Sequence, residues 1–102
     1  MKTYNLTNRI SATARKELER IIATHEKYHK SFFFKSDSSA SGRRRNEKAF
    51  IKRNPDVAFQ TKKGLLEVQM RYSESCKNVY YSISITIDGK SRNITAIKSL
   101  LA

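Results

Sequence analysis

The chain has 102 residues, with 21 Lys and Arg against 9 Asp and Glu, a formal net charge of +12. A chain this short holds one modest core, and its single cysteine, Cys76, excludes an internal disulfide. No apolar run is long enough to span a bilayer as a helix, and the N-terminus MKTYNLTNRISAT has no secretory apolar segment.

The expectation is therefore a cytoplasmic protein in a reducing compartment. The cationic surplus needs a counterpart: nucleic acid, an anionic membrane surface or an acidic protein. It is uneven. Residues 1 to 55 carry fourteen Lys/Arg and five Asp/Glu, whereas residues 56 to 102 carry seven and four. The first half supplies most of the field.

In chain order, Lys2 to Leu6 reads as a short strand, with Tyr4 and Leu6 on one face. Ile10, Ala14, Leu18, Ile21, Ile22, His25 and Tyr28 then recur at spacings of three and four, which predicts a helix. Ser11 is placed to cap it, its hydroxyl accepting from an otherwise unpaired N–H. Glu19 and Glu26 on the outer face count against this helix as the main phosphate surface.

Phe32, Phe33 and Phe34 follow; they read as a core plug, or alternatively as a stacking platform for unpaired bases. Residues 35 to 46, KSDSSASGRRRN, hold no large apolar residue and predict a mobile basic loop. Asn46 is then expected to cap a short helix through Arg53, with Ala49 and Phe50 facing inward. Asn54-Pro55 ends it, because proline disfavours helical backbone in the residue before it.

From Asp56 the period becomes two. Val57 and Phe59 face one way. Thr61 to Gly64 reads as a turn. Leu66, Val68, Met70 and Tyr72 make a second strand face, and Val79, Tyr81, Ile83, Ile85 and Ile87 a third. One apolar and one polar face per strand suit an antiparallel meander. Asp88-Gly89 is a tight turn. The tail reads as a helix, with Asn93 as cap and Ile94, Ile97, Leu100 and Leu101 at helical spacing; a hairpin strand from Lys90 to Ile97 is the alternative.

The expected architecture is a single α+β domain. A three-stranded antiparallel meander, with a short extra N-terminal strand, is packed by an N-terminal helix and a short C-terminal helix. In layout, Asp56 to Ala102 together with part of the first helix resembles double-stranded-RNA-binding domains, which run helix, three strands, helix. The resemblance implies a phosphate-gripping cluster at the start of the last helix, where Lys90, Ser91 and Arg92 stand.

The sharpest motif is His25-Glu26-Lys27-Tyr28-His29, an H-E-x-x-H match. On a helix that spacing puts two imidazoles on one face for zinc, with the glutamate as general base. Lys27, Lys30, Arg20 and the arginine triplet surround it, and that field disfavours a dication. The strong strands follow the motif instead of preceding it. Glu47, at the place of a third ligand, lies in the arginine-rich segment, where an ion pair is the easier role. No metal or other cofactor is expected.

A small ribonuclease of toxin type is the better enzyme alternative. His25, His29, Tyr72, Arg71 and Arg92 offer the acid, base and cation types that such chemistry uses.

The reading that the residues favour is a non-enzymatic nucleic-acid-binding protein that contacts DNA or RNA phosphates with low sequence specificity. Its expected contacts are Arg43, Arg44, Arg45, Lys48, Lys52, Arg53, Lys62, Lys63, Lys90 and Arg92. The alternative is a small phage or mobile-element regulator, of anti-restriction or anti-CRISPR type, that inhibits a host protein or nucleoprotein complex.

Overall fold

The structure is a computed structural model that describes residues 1–29, 39–75 and 78–101. Phe32, Phe33, Phe34 and Cys76 lie outside the described residues, as do positions 35–38 of the expected loop.

The elements run β1 (Lys2–Asn5), α1 (Ala12–His29), α2 (Ala40–Arg53), β2 (Val57–Thr61), β3 (Gly64–Glu74), β4 (Val79–Ile87), β5 (Lys90–Arg92) and α3 (Thr95–Leu101). The fold is α+β, with one five-stranded sheet in the order β1-β2-β3-β4-β5. The meander is its centre, but the sheet is mixed. β1 pairs parallel to β2, and β5 adds an antiparallel edge. Both readings of the tail therefore hold in part: Lys90–Arg92 is a strand and Thr95–Leu101 a helix.

Side chains that alternate along paired strands must share faces when the register matches. Leu66, Val68, Met70 and Tyr72 of β3 lie opposite Ile87, Ile85, Ile83 and Tyr81 of β4. Val57 and Phe59 join the same face from β2. Each helix adds to this one core: Ala14, Leu18 and Ile21 from α1, Phe50 from α2 and Ile97 from α3. The other face, with Gln69, Arg71, Ser73, Tyr80, Ser82 and Ser84, is exposed.

Local chemistry fixes the ends. Ser11 Oγ accepts from the Ala14 N–H (3.1 Å), as a cap should. Asp88 and Gly89 both take positive φ, 50° and 82°, which a two-residue hairpin of the favoured twist requires. Asp88 also ties this turn to the neighbouring one: its Oδ1 accepts from the Leu65 N–H at 3.0 Å. A Cβ at Gly64 would run into that carboxylate.

α2 corrects the expectation of a loop over residues 35 to 46, as far as these are described. The helix begins at Ala40, with Ser39 as its cap: Ser39 Oγ accepts from the Gly42 N–H at 3.2 Å. Asn46 is therefore mid-helix, where it donates to the Glu74 carboxylate at 3.1 Å. Ala49 faces solvent; Phe50 alone is buried. Ser39 is spent on the cap, and Ser41 and Gly42 on the first turn. Tertiary anchoring at Phe50 outweighs their weak propensity.

Candidate nucleic-acid interface

α2 is held by one aromatic and one amide. Phe50 stacks on Tyr72 (ring centroids 5.0 Å apart) and meets Tyr28 edge-on at 5.2 Å. Asn54 is buried at the helix end. Its Nδ2 donates to the Phe50 carbonyl (3.0 Å), and its Oδ1 accepts from Arg20 Nη1 (2.6 Å) and Thr24 Oγ1 (3.3 Å). Arg20 is itself paired with Glu17 at 2.6 Å. α1 thereby orients α2, through an asparagine that the sequence marks only as a residue before proline.

With Phe50 pointing inward, helical geometry at about 100° per residue turns Arg44, Arg45, Lys48 and Lys52 outward. All four are exposed, whereas Arg43, Asn46 and Phe50 lie on or beside the inner side and Arg43 is half-buried. No Asp or Glu stands on the outer face. Glu47, the one acid in α2, is half-buried at its flank. The ridge from Arg44 to Lys52 covers about 12 Å of helix axis.

Among the described residues, the carboxylates are largely engaged elsewhere. Glu17 pairs with Arg20, Asp56 with Arg71 (2.7 Å) and Glu26 with Lys98 (3.8 Å). Glu74 accepts from Tyr72 Oη and Asn46, and Asp88 from the Leu65 backbone. Arg44, Arg45, Lys48, Lys52 and Arg53 take part in no ion pair among the described residues. Arg53, also exposed, borders a cleft of about 300 Å³ with Arg20, Thr24, Lys27, Tyr28 and Asn54. That cleft continues the cationic surface onto α1.

The ten expected contacts do not form one patch. Six lie on α2. Lys62 and Lys63 sit in the β2–β3 turn, and Lys90 and Arg92 on β5. Asn46 reaches Glu74 at one end of β3, while Lys63 adjoins Gly64 at the other. Ten residues of strand put the two groups roughly 30 Å apart at their far ends. Lys90 and Arg92 belong to a hairpin strand, β5, that precedes α3, so the phosphate-gripping cluster that the resemblance to double-stranded-RNA-binding domains implied at the start of the last helix is not there.

The enzyme constellations fare differently. His25 and His29 stack with centroids 5.0 Å apart, and His25 Nδ1 shares a 3.0 Å hydrogen bond with Tyr81 Oη. Burial first, then the neighbouring His29 and Lys98, hold His25 below its usual value near 6.5. Among the described residues no group of three His, Cys, Asp or Glu is placed to hold a metal. The ribonuclease residues are not brought together. Tyr72 faces the core and Arg71 the opposite face, paired with Asp56, while Arg92 is on β5. Burial pushes the Tyr72 and Tyr81 hydroxyls up, so both stay protonated at neutral pH.

No protein-family model, no curated protein and no solved structure matches the chain. No helix among the described residues is long and apolar enough to cross a membrane.

Proposed function

We propose that this chain is a small, non-enzymatic, cytoplasmic protein that binds DNA or RNA through phosphate contacts made by α2. One observation carries the reading: Arg44, Arg45, Lys48 and Lys52 line a solvent-facing ridge that bears no carboxylate. Four like charges at helical spacings of three and four repel one another, and each close pair costs about 0.2–0.5 kcal/mol. A polyanion turns that cost into attraction and releases its own counterions.

Arginine strengthens the reading, because its planar fork offers a phosphate two parallel donors. Arg53 extends the ridge toward the α1 cleft. Arg43 stands on the inner flank and supports the field rather than making the first contact. Over the ridge's length duplex DNA carries about seven charges, so the ridge meets more phosphate than it can neutralise. No side-chain set on α2 is arranged to read base edges, so discrimination between sequences is low or follows nucleic-acid shape.

The test is a fluorescence-anisotropy titration of the whole chain on random-sequence DNA and RNA, single- and double-stranded, at two salt concentrations. The reading expects binding that weakens steeply with salt. Absence of binding to every probe, with a host protein co-purifying instead, would replace it with the regulator reading.

A further inference from the structure

A second cleft, lined by no residue of α2, lies elsewhere on the molecule. It is a groove of about 1130 Å³ between the β1–α1 connection, the β2–β3 turn and α3. Leu6, Ile10, Leu66, Ile87, Ala96 and Leu100 form its apolar lining. Leu6 and Leu66 are buried, while Ile10, Ile87, Ala96 and Leu100 remain partly open to solvent. Lys62, Lys63 and Arg92 also line it, and among the described residues no Asp or Glu does.

The cations are mounted on fixed backbone. Thr61, itself buried, donates through Oγ1 to the Gly64 carbonyl (2.8 Å) and accepts from the Lys63 N–H (3.1 Å). That lock holds the turn that carries Lys62 and Lys63. Arg92 of β5 is in register with Ile85 of β4, and its guanidinium donates to the Ser91 carbonyl at 3.0 Å.

Phosphate backbones have no use for an apolar floor, so this is a different kind of surface from the α2 ridge. Its volume exceeds the roughly 300–1,000 Å³ of ordinary small-molecule clefts. We propose that the groove docks an acidic amphipathic helical segment of a partner protein. Apolar residues at helical spacing enter between α3 and the sheet, and flanking carboxylates meet Lys62, Lys63 and Arg92. Charge selects the partner: a rim with three cations and, among the described residues, no acid attracts an acidic helix and rejects a basic one. The inference stands apart from the α2 reading, since the two surfaces share no residue.

The test uses the whole chain and a fluorescein-labelled peptide of about fifteen residues, with leucine at helical spacing and glutamate elsewhere. Two control peptides replace the leucines with serine or the glutamates with lysine. The expected result is binding of the leucine–glutamate peptide at least about tenfold tighter than either control. The Lys62→Gln, Lys63→Gln, Arg92→Gln triple variant should weaken it about tenfold, while Gln at Arg44, Arg45, Lys48 and Lys52 leaves it within about twofold. These groove substitutions are on exposed side chains, and circular dichroism checks that the variant folds. Absence of binding overturns the proposal, as does equal binding of the serine peptide or a loss confined to the α2 variant. Phosphatidylglycerol vesicles that bind with the same dependence on the groove cations, and are not displaced by the peptide, overturn it in favour of a lipid surface.

Discussion

Replacing Arg44, Arg45, Lys48 and Lys52 together with glutamine should abolish most nucleic-acid binding and slightly stabilise the fold. These residues are exposed and form no ion pair among the described residues, so their removal breaks none there. It relieves three close like-charge pairs, Arg44–Lys48, Arg45–Lys48 and Lys48–Lys52, together about 0.6–1.5 kcal/mol. Glutamine has nearly the helix propensity of lysine and arginine. Tm should therefore rise by about 2–12 °C, at 4–8 °C per kcal/mol for a domain of this size. On duplex DNA, four lost phosphate contacts should flatten the slope of log K against log salt by about 3.6. Between about 50 and 200 mM salt, those contacts account for a roughly 150-fold loss in wild-type affinity that the variant no longer shows. Anisotropy titrations across salt, paired with a thermal melt, read both numbers. A variant with the wild-type salt slope, or one that melts well below the wild type, would refute the reasoning.

Four further outcomes follow from the packing and the ionisable groups. Phe50→Ala removes the α2 anchor, with an expected loss of about 3–5 kcal/mol in chemical denaturation. Asn54→Ala removes a buried amide that the half-buried Arg20 and Thr24 donate to, and should cost about 1–3 kcal/mol; an unchanged denaturation midpoint would contradict the network. Gly64→Ala should destabilise through the clash with Asp88, and Asp88→Ala in the same chain should recover part of the loss, as a double-mutant cycle measures. Because His25 is held below its usual value near 6.5, the unfolded chain binds its proton first as pH falls. The stability it contributes is complete above about pH 6.5 and declines below it, and His25→Gln should flatten that decline in a denaturation series.

The sheet was legible because its signal is local. Val57 to Ile87 alternates with period two, and in-register pairing needs only that alternation and the two turns. α1 was legible for the same reason, through its apolar stripe and Ser11. α2 was half-hidden. Its first turn is built of Ala, Ser and Gly, residues that also make loops, and what secures it is distant: Phe50 against Tyr72 and Tyr28, and Asn54 against Arg20. Neither contact has a sequence periodicity to reveal it. β1 and β5 are short edge strands whose pairing depends on what lies beside them. The ten expected contacts carried no spatial information either. Composition grouped Lys62, Lys63 and Arg92 with the arginine triplet, whereas the sheet separates them and sets the former three around an apolar groove.

The central claim, that the outer face of α2 meets a polyanion, is tested most directly by amide and arginine side-chain chemical shifts of labelled protein titrated with a short oligonucleotide. Changes concentrated on Arg44, Arg45, Lys48, Lys52 and Arg53, with the open sheet face silent, are the predicted result. A response centred on Tyr80 and its neighbours, or none at all on α2, would contradict it.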